Sequence, residues 1–301
     1  MTAIIIGANS YIARNLIYYL KKKTDINIIG LYDYNEVQFD SEEPYKQIDI
    51  LSQEGTSVIN MNADLIFMFV GKTGSQDGFS NFKTFININE ISLLNILNEY
   101  QRQNSKAKII FPSTRLVYKG SEKPLKEDSE KEFKTVYAIN KFSCEQYLKQ
   151  FKNVFGINYL ILRICVPYGT MIEHASSYGT AEFMLGKAQN GKDITLYGDG
   201  LQRRSITYIE DLCETFYKAA LSNDCLNDVF NIGGEDYSLQ QIANLIAAKY
   251  NVNVKHIEWP SAALRIESGS TVFDDIKLKN IIGNTIKYKF TDWIKEGSSI
   301  T

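Results

Sequence analysis

The stretch A-I-I-I-G-A-N-S-Y-I-A-R-N-L, residues 3–16, decides the fold. A run of strand-forming apolar residues ends at Gly7, and Ile12, Leu16, Ile17 and Leu20 then recur at helical spacing. A strand that turns at a glycine straight into an amphipathic helix is how a dinucleotide-binding βα unit opens. The helix N-terminus there offers free N–H groups and the positive end of its dipole to a phosphate. The glycine pattern is reduced to Gly7, Ser10 and Ala13. Gly7 keeps the conformational freedom of the turn, and Ser10 and Ala13 are the next-smallest choices; Ser10 adds a hydroxyl that can donate to a phosphate oxygen. Taken alone, the loop also fits an ordinary strand-to-helix turn.

Working outward, the second strand runs I-I-G-L-Y and ends at Asp33. A carboxylate there accepts both hydroxyls of an adenosine ribose and repels a 2′-phosphate, which favours NAD over NADP. Asp49 and Ile50, after a third strand, are placed to meet the adenine. The alternation continues to about residue 165. Strands are expected at Ala3–Ile6, Ile26–Tyr32, up to Ile48, Leu65–Val70, Lys108–Phe111 and Tyr159–Ile164, and helices over Asn81–Gln103 and Thr135–Phe151. Ile4–Ile6 and Leu65–Val70 are apolar throughout, as strands covered on both faces are. The expected fold is α/β: a doubly wound parallel (Rossmann) sheet from residues 1–165 and about 205–234, with a smaller C-terminal substrate-binding lobe from about 166–204 and 235–301. That lobe is expected to hold a loop over Tyr168–Tyr178, a helix near Ala181–Gln189 and a turn at Gly198-Asp199-Gly200.

Composition narrows the function. The 301 residues carry a formal net charge of −2 with no basic stripe, so no nucleic-acid partner is expected. The longest apolar run, Leu65–Val70, is far too short to span a bilayer. The four cysteines show neither a C-x-x-C pair nor a disulfide framework, and no leader precedes the strand at Ala3, which reads as a cytoplasmic chain. His174 and His256 are the only histidines and neither has a second candidate ligand nearby, so neither a metal site nor a Ser-His-Asp hydrolase is expected.

The chemistry points to Y-x-x-x-K, a phenol and an ammonium one helical turn apart on one face. Free tyrosine titrates near pH 10, so acid/base work near neutrality needs roughly 4 kcal/mol of help, which an adjacent Lys⁺ and a positive nicotinamide supply. The spacing occurs at Tyr18/Lys22, Tyr19/Lys23 and Tyr137/Lys141. The first two sit at the far end of the opening helix. Tyr137/Lys141 opens the helix after the fifth strand, which ends F-P-S-T-R-L-V-Y and so brings the Thr114 hydroxyl to share a substrate oxygen with Tyr137.

With these residues in place, the sequence resembles the extended short-chain dehydrogenase/reductases, the NAD-dependent epimerase/dehydratase family. I-I-I-G-A-N-S-Y-I-A, D-L-I-F-M-F-V-G, F-P-S-T-R-L-V-Y, V-Y-A-I-N-K-F-S-C-E, L-R-I-C-V-P-Y-G and Y-G-D-G-L-Q-R-R-S-I-T-Y-I-E-D match in order over essentially the whole chain. The resemblance implies Thr114, Tyr137 and Lys141 as the catalytic set. It implies a cofactor site of Gly7, Asn9, Ser10, Tyr11, Ile12, Asp33, Asp49, Ile50, Phe69, Val70 and Lys141 for NAD. It implies a nucleoside-diphosphate sugar held by Thr114, Val166, Arg204 and Arg265, and a homodimer through the helices near 81–103 and 135–151. Arg204, with Arg203 as its neighbour, matches the family's diphosphate arginine, for which a planar bidentate donor is suited. Asn89 falls on the family's helix asparagine, a place that a helix-packing role fills equally well.

Val166 stands where the family often has a substrate-touching Asn, and Ser205 where Asp is usual. The 4,6-dehydratases carry Asp-Glu directly after the catalytic Thr; here the residues are Arg115-Leu116, neither acid nor base, which argues against dehydration. The expected reaction is hydride transfer at C4 of a nucleotide-activated hexose by an NAD-dependent 4-epimerase working through a transient 4-keto sugar. An NAD(P)H-dependent reductase of a nucleotide-4-keto-6-deoxysugar is the alternative, and a non-catalytic dinucleotide sensor a third reading. Asp33 favours retained NAD and hence epimerisation, whereas the short C-terminal lobe and altered pocket favour reduction.

Overall fold

Among the described residues are twelve short strands: β1 (Thr2–Ile6), β2 (Asn27–Asp33), β3 (Tyr45–Gln47), β4 (Leu65–Met68), β5 (Lys108–Thr114), β6 (Asn158–Ile164), β7 (Val166–Tyr168), β8 (Ile194–Tyr197), β9 (Arg203–Tyr208), β10 (Val229–Asn231), β11 (Glu235–Ser238) and β12 (Val254–Ile257). The computed structural model describes residues 1–37, 43–172 and 179–296; His174 and the part of the Tyr168–Tyr178 loop at 173–178 lie outside them. Seven strands form one sheet in the order β10-β6-β5-β4-β1-β2-β3, with every pairing parallel. The chain winds outward from β1 in one direction and from β4 in the other. Open sheets of this kind leave a crevice for ligands at that reversal, beyond the carboxyl ends of β1 and β4.

The apolar strands earn their burial from both sides. Ala3, Ile5, Leu65 and Phe67 face one layer with Leu16, Leu20 and Phe216, while Ile4, Ile6, Ile66 and Met68 face the other with Ile96, Leu97 and Leu148. The first layer is made by the helices Tyr11–Lys23 and Ile209–Leu221, the second by Ser92–Arg102 and Val136–Phe155. β7, β9 and β11 form a three-stranded sheet, and β8 and β12 a two-stranded one. Residues 203–208 therefore lie in a small sheet, whereas β10 returns to the edge of the large one. Among the described residues no helix is long and apolar enough to cross a membrane.

Three elements depart furthest from their sequence expectation, and the strand expected over Leu65–Val70 ends at Met68. β5 continues to Thr114 instead of stopping at Phe111, because Pro112, Ser113 and Thr114 pair with Leu162, Arg163 and Ile164. β4 pairs with β5 only as far as Ile110, so the N–H that Pro112 lacks costs no ladder bond on that side. The helix expected over Asn81–Gln103 is interrupted: α-helix at Phe82–Ile86, a π turn at Asn87–Ile91, then α-helix at Ser92–Arg102. The helix expected over Thr135–Phe151 runs on to Phe155 and stops at Gly156, whose left-handed φ of +72° ends it at little steric cost.

Candidate active site

Gly7 ends β1 with φ +85°, and its N–H donates to Tyr32 O at 2.8 Å. A Cβ here would fall 2.6 Å from the Phe69 carbonyl carbon and the Val70 nitrogen, so only glycine lets β1 and β4 part this closely. Ser10 caps the opening helix, its hydroxyl accepting from Ala13 N at 3.4 Å, which leaves its own O–H free to donate outward. Asp33 accepts from Asn9 N (2.9 Å) through one oxygen and from Asn35 N (3.1 Å) through the other. The Asn9 amide reaches Glu36 O and the Tyr45 hydroxyl, both at 3.0 Å, so loop and second strand are locked together.

Above these residues lies a cleft of about 590 Å³. Gly7, Asn9, Ser10, Asp33, Asp49, Ile50, Phe69 and Val70, each expected at the cofactor site, line it together with Lys72 and Ile88, which sequence reasoning missed. Tyr11 and Ile12 are not among its walls. The Tyr11 phenol donates to Gly169 O at 2.5 Å, and Ile12 packs against the core.

The other half of the site is carried by the helix Val136–Phe155. Thr135 caps it by accepting from Ala138 N at 3.1 Å, so half-buried Tyr137 sits in the first turn and Lys141 one turn on. Lys141 is 5% exposed; its ammonium donates to Pro112 O at 2.9 Å and stands 4.4 Å from the Phe111 ring centroid. Burial pulls its pKa from the ordinary 10.5 to about 8, against the opposing pull of nearby Cys144 and Glu145. A Cβ on Gly71 would lie 3.6 Å from Lys141 Nζ and 3.2 Å from Asn89 Oδ1. Gly71 lines the cleft while Lys141, Tyr137 and Thr114 are not among its walls; the Lys141 ammonium lies behind Gly71.

Asn89 occupies the π turn. Its side chain accepts from Lys72 N (2.9 Å) and donates to Lys72 O (3.1 Å), and its backbone carbonyl takes the Cys144 thiol at 3.1 Å. π turns recur at functional sites because they release a backbone group from the helix ladder.

Thr114 closes β5 at 8% exposure, its hydroxyl accepting from Leu116 N at 3.3 Å. Its neighbour Ser113 faces away and donates to Glu145 at 2.5 Å. Glu145 holds Arg163 bidentately (2.9 and 2.6 Å), Arg163 donates to the Tyr118 hydroxyl (2.6 Å), and that hydroxyl donates to Asn231 Oδ1 (2.7 Å). This buried brace joins β5, β6, β10 and the catalytic-candidate helix beneath the site.

On the substrate side, Val166 is buried in β7 and Arg204 in β9. The Arg204 guanidinium pairs with Glu267 (2.7 Å) and donates to the carbonyls of Gly269 (2.5 Å) and Arg203 (2.9 Å). Arg203 turns outward to Asp236 at 2.8 Å. Arg265 is exposed in the short helix Ser261–Ile266. Arg115, not expected at the site, lies beside Arg204 and donates to Ser268 Oγ (3.1 Å) and Thr271 Oγ1 (3.4 Å); burial and the Arg204 charge lower its pKa to about 10. Of the other Y-x-x-x-K pairs, Tyr19 packs against Tyr217 and Tyr18 is exposed on the same helix. Among the described residues no group of three or more His, Cys, Asp or Glu is arranged to hold a metal.

The model of the NAD dependent epimerase/dehydratase family matches residues 3–233. The chain is 25% identical over 260 residues to an uncharacterized UDP-glucose epimerase, YtcB, of Bacillus subtilis (strain 168), covering 82% of this chain and 81% of that one. Its fold matches the UDP-glucose 4-epimerase of Thermus thermophilus in complex with NAD at TM-score 0.85, with 19% identity over 98% of this chain and 97% of the other. It also matches a dTDP-glucose 4,6-dehydratase from Streptomyces venezuelae with NAD and TYD bound, at TM-score 0.85 and 16% identity over 99% and 98%. At such identities these two structures show a common fold alone, and one fold serves both an epimerase and a dehydratase.

Proposed function

This chain belongs to the NAD dependent epimerase/dehydratase family, and we propose that it is an NAD-dependent oxidoreductase acting at C4 of a nucleoside-diphosphate sugar, a 4-epimerase that works through a transient 4-keto sugar. The observation that carries this reading is the meeting of two halves. The helix bearing Tyr137 and Lys141 sets an ammonium behind Gly71, which lines the same cleft as Gly7 and Asp33. NAD, when bound, supplies the hydride acceptor and donor. The glycine-only approach of β1 to β4 and the carboxylate of Asp33 fit its pyrophosphate and ribose; Asp33 supports NAD over NADP.

In this reading the phenol of Tyr137 takes the proton of the sugar hydroxyl and later returns it. Lys141 keeps the ionised phenol favourable through its charge, and the Thr114 hydroxyl donates to the oxygen on which negative charge develops. Arg115 and Leu116 place no carboxylic acid or base beside Thr114, which supports redox chemistry without loss of water. We assign the large sheet and its helices to the cofactor and the two small sheets with the C-terminal segments to the sugar. A homodimer is part of the same proposal: Phe82, Ile86 and Ile91, with Ile139, Val154 and Phe155, expose apolar surface on the two helical segments expected to pair. A cytoplasmic location goes with it, given four unpaired cysteines.

The test is mass spectrometry of the small molecules released when the purified protein is denatured, joined to turnover without added cofactor. An epimerase releases NAD and needs none added. Stoichiometric consumption of NAD(P)H replaces that reading with the reductase, and bound NAD with no turnover of any nucleotide sugar replaces it with the sensor.

A further inference from the structure

Arg115 follows Thr114 where β5 passes into the one-turn 3-10 helix Arg115–Val117. Two donors on its Nη1 are met by Ser268 Oγ and Thr271 Oγ1, both neutral. Those acceptors sit on a firmly held segment: Thr271 N donates to Arg203 O at 2.8 Å, Ser121 N donates to Ser270 O at 2.9 Å, and Gly120 packs so closely that a Cβ would fall 1.8 Å from Ser268 O. The adjacent guanidinium, Arg204, has Glu267 as its counter-ion. Two neighbouring guanidiniums thus have one carboxylate beside them, paired with Arg204, and among the described residues no acid lies within ion-pair distance of Arg115.

An arginine carries five N–H donors. The three on Nε and Nη2 meet no acceptor among the described residues, and neither nitrogen is sealed from solvent. A guanidinium largely withdrawn from water without an anion is unfavourable, and one whose remaining forked donors keep some solvent contact is one an oxyanion completes.

Position selects the oxyanion. On a pyranose, C5 bears C6 and adjoins C4, so whatever reads C6 must stand beside whatever holds the C4 oxygen. Thr114 is the residue assigned to that oxygen above, and Arg115 is its immediate chain neighbour, with Cα atoms about 3.8 Å apart. We propose that Arg115 is a specificity-determining residue that takes a C6 carboxylate in bidentate fashion, making the substrate a nucleotide-activated uronate. The inference rests on the nucleotide-sugar reading above and adds the acidic sugar class to it.

The test compares sugars that differ only at C6, UDP-glucose with UDP-glucuronate and GDP-mannose with GDP-mannuronate, by calorimetric titration of the NAD-containing protein. The nucleotide and diphosphate cancel within each pair. The wild type is expected to bind one uronate about 10- to 100-fold tighter than its hexose, the range of a charge-assisted bidentate contact. Arg115→Met is expected to bring that ratio to about 1, and Arg115→Lys to keep part of it. Equal affinities in the wild type, or a ratio that survives Arg115→Met, overturn the proposal. So does Arg115→Met weakening UDP and both sugars by one common factor, which assigns the residue to the diphosphate. A lower melting temperature with an unchanged ratio overturns it too and makes Arg115 a strut for residues 268–271. Failure of every nucleotide sugar to bind NAD-loaded protein instead overturns the nucleotide-sugar reading, and this inference falls with it.

Discussion

Replacing Lys141 with methionine separates what the ammonium does for chemistry from what it costs the fold. Lys141 is 5% exposed, and burial lowers its pKa from 10.5 to about 8. Below pH 8 both folded and unfolded chains hold the proton, and the folded state bears the whole cost of the buried charge. Between pH 8 and 10.5 the unfolded chain still holds the proton and the folded one has released it, so stability rises with pH. At 1.36 kcal/mol for each pH unit, the interval of about 2.5 units amounts to about 3 kcal/mol. Methionine removes that cost but leaves Pro112 O without its 2.9 Å donor, a loss of about 1–3 kcal/mol. The variant is therefore expected to match or exceed the wild type by about 1 kcal/mol at pH 7, and to fall about 2 kcal/mol below it at pH 10. Urea denaturation of both proteins at pH 7, 8.5 and 10 measures the difference, in which the other titrating groups cancel. A difference that moves by less than about 1 kcal/mol across that range refutes a buried, proton-shedding Lys141. Turnover of the variant should be lost at every pH.

Three further substitutions probe separate parts of the molecule. Tyr137→Phe should leave NAD content and unfolding unchanged while turnover falls about 10²–10⁴-fold, the usual range for removing an acid/base group, as read in an epimerisation assay. Arg163→Met strands Glu145, which is 0% exposed, and should cost about 3–5 kcal/mol in urea denaturation; a loss under about 1 kcal/mol would mean the brace beneath the site does little to hold the fold. Asp211 is 1% exposed, accepts from Lys287 N and Tyr288 N through one oxygen and has no partner for the other, and burial raises its pKa from 3.8 to about 6. A raised acid loses stability as pH climbs from its unfolded value through 6, so Asp211→Asn should be about 1–3 kcal/mol more stable than wild type at pH 7.5, and that advantage should vanish near pH 4; thermal unfolding at the two pH values checks it.

Much of the frame was legible in the chain because its signals are local. Ile4–Ile6 had to be buried on both faces, Gly7 had to turn, and the helix after it had to show one apolar stripe; together they set the parallel sheet and its crevice. What stayed hidden depended on contacts between distant residues. The run of β5 through Pro112 is one such case, tolerated because β4 pairs with β5 only as far as Ile110. Nothing in N-I-N-E-I marks a π turn, nor that the Asn89 side chain within it is tied to the backbone of Lys72. Lys72 itself sits in a loop with no motif around it, and only the fold brings it to the cleft wall. Arg204 reads as a phosphate ligand in sequence, and its ion pair with Glu267 spans 63 positions that no spacing rule connects.

The strand that ends in Ser113 and Thr114 divides labour between consecutive hydroxyls, Ser113 donating into the brace and Thr114 accepting from Leu116 N at the strand end. Divergence of specificity is thereby uncoupled from folding. On the proposed reading, exchanges at residues 115 and 116 would change what is accepted, while the anchoring serine, glutamate and arginine below continue to hold the strand ends in register. Directed evolution aimed at new sugars should accordingly begin at 115 and 116 and leave 113, 145 and 163 fixed.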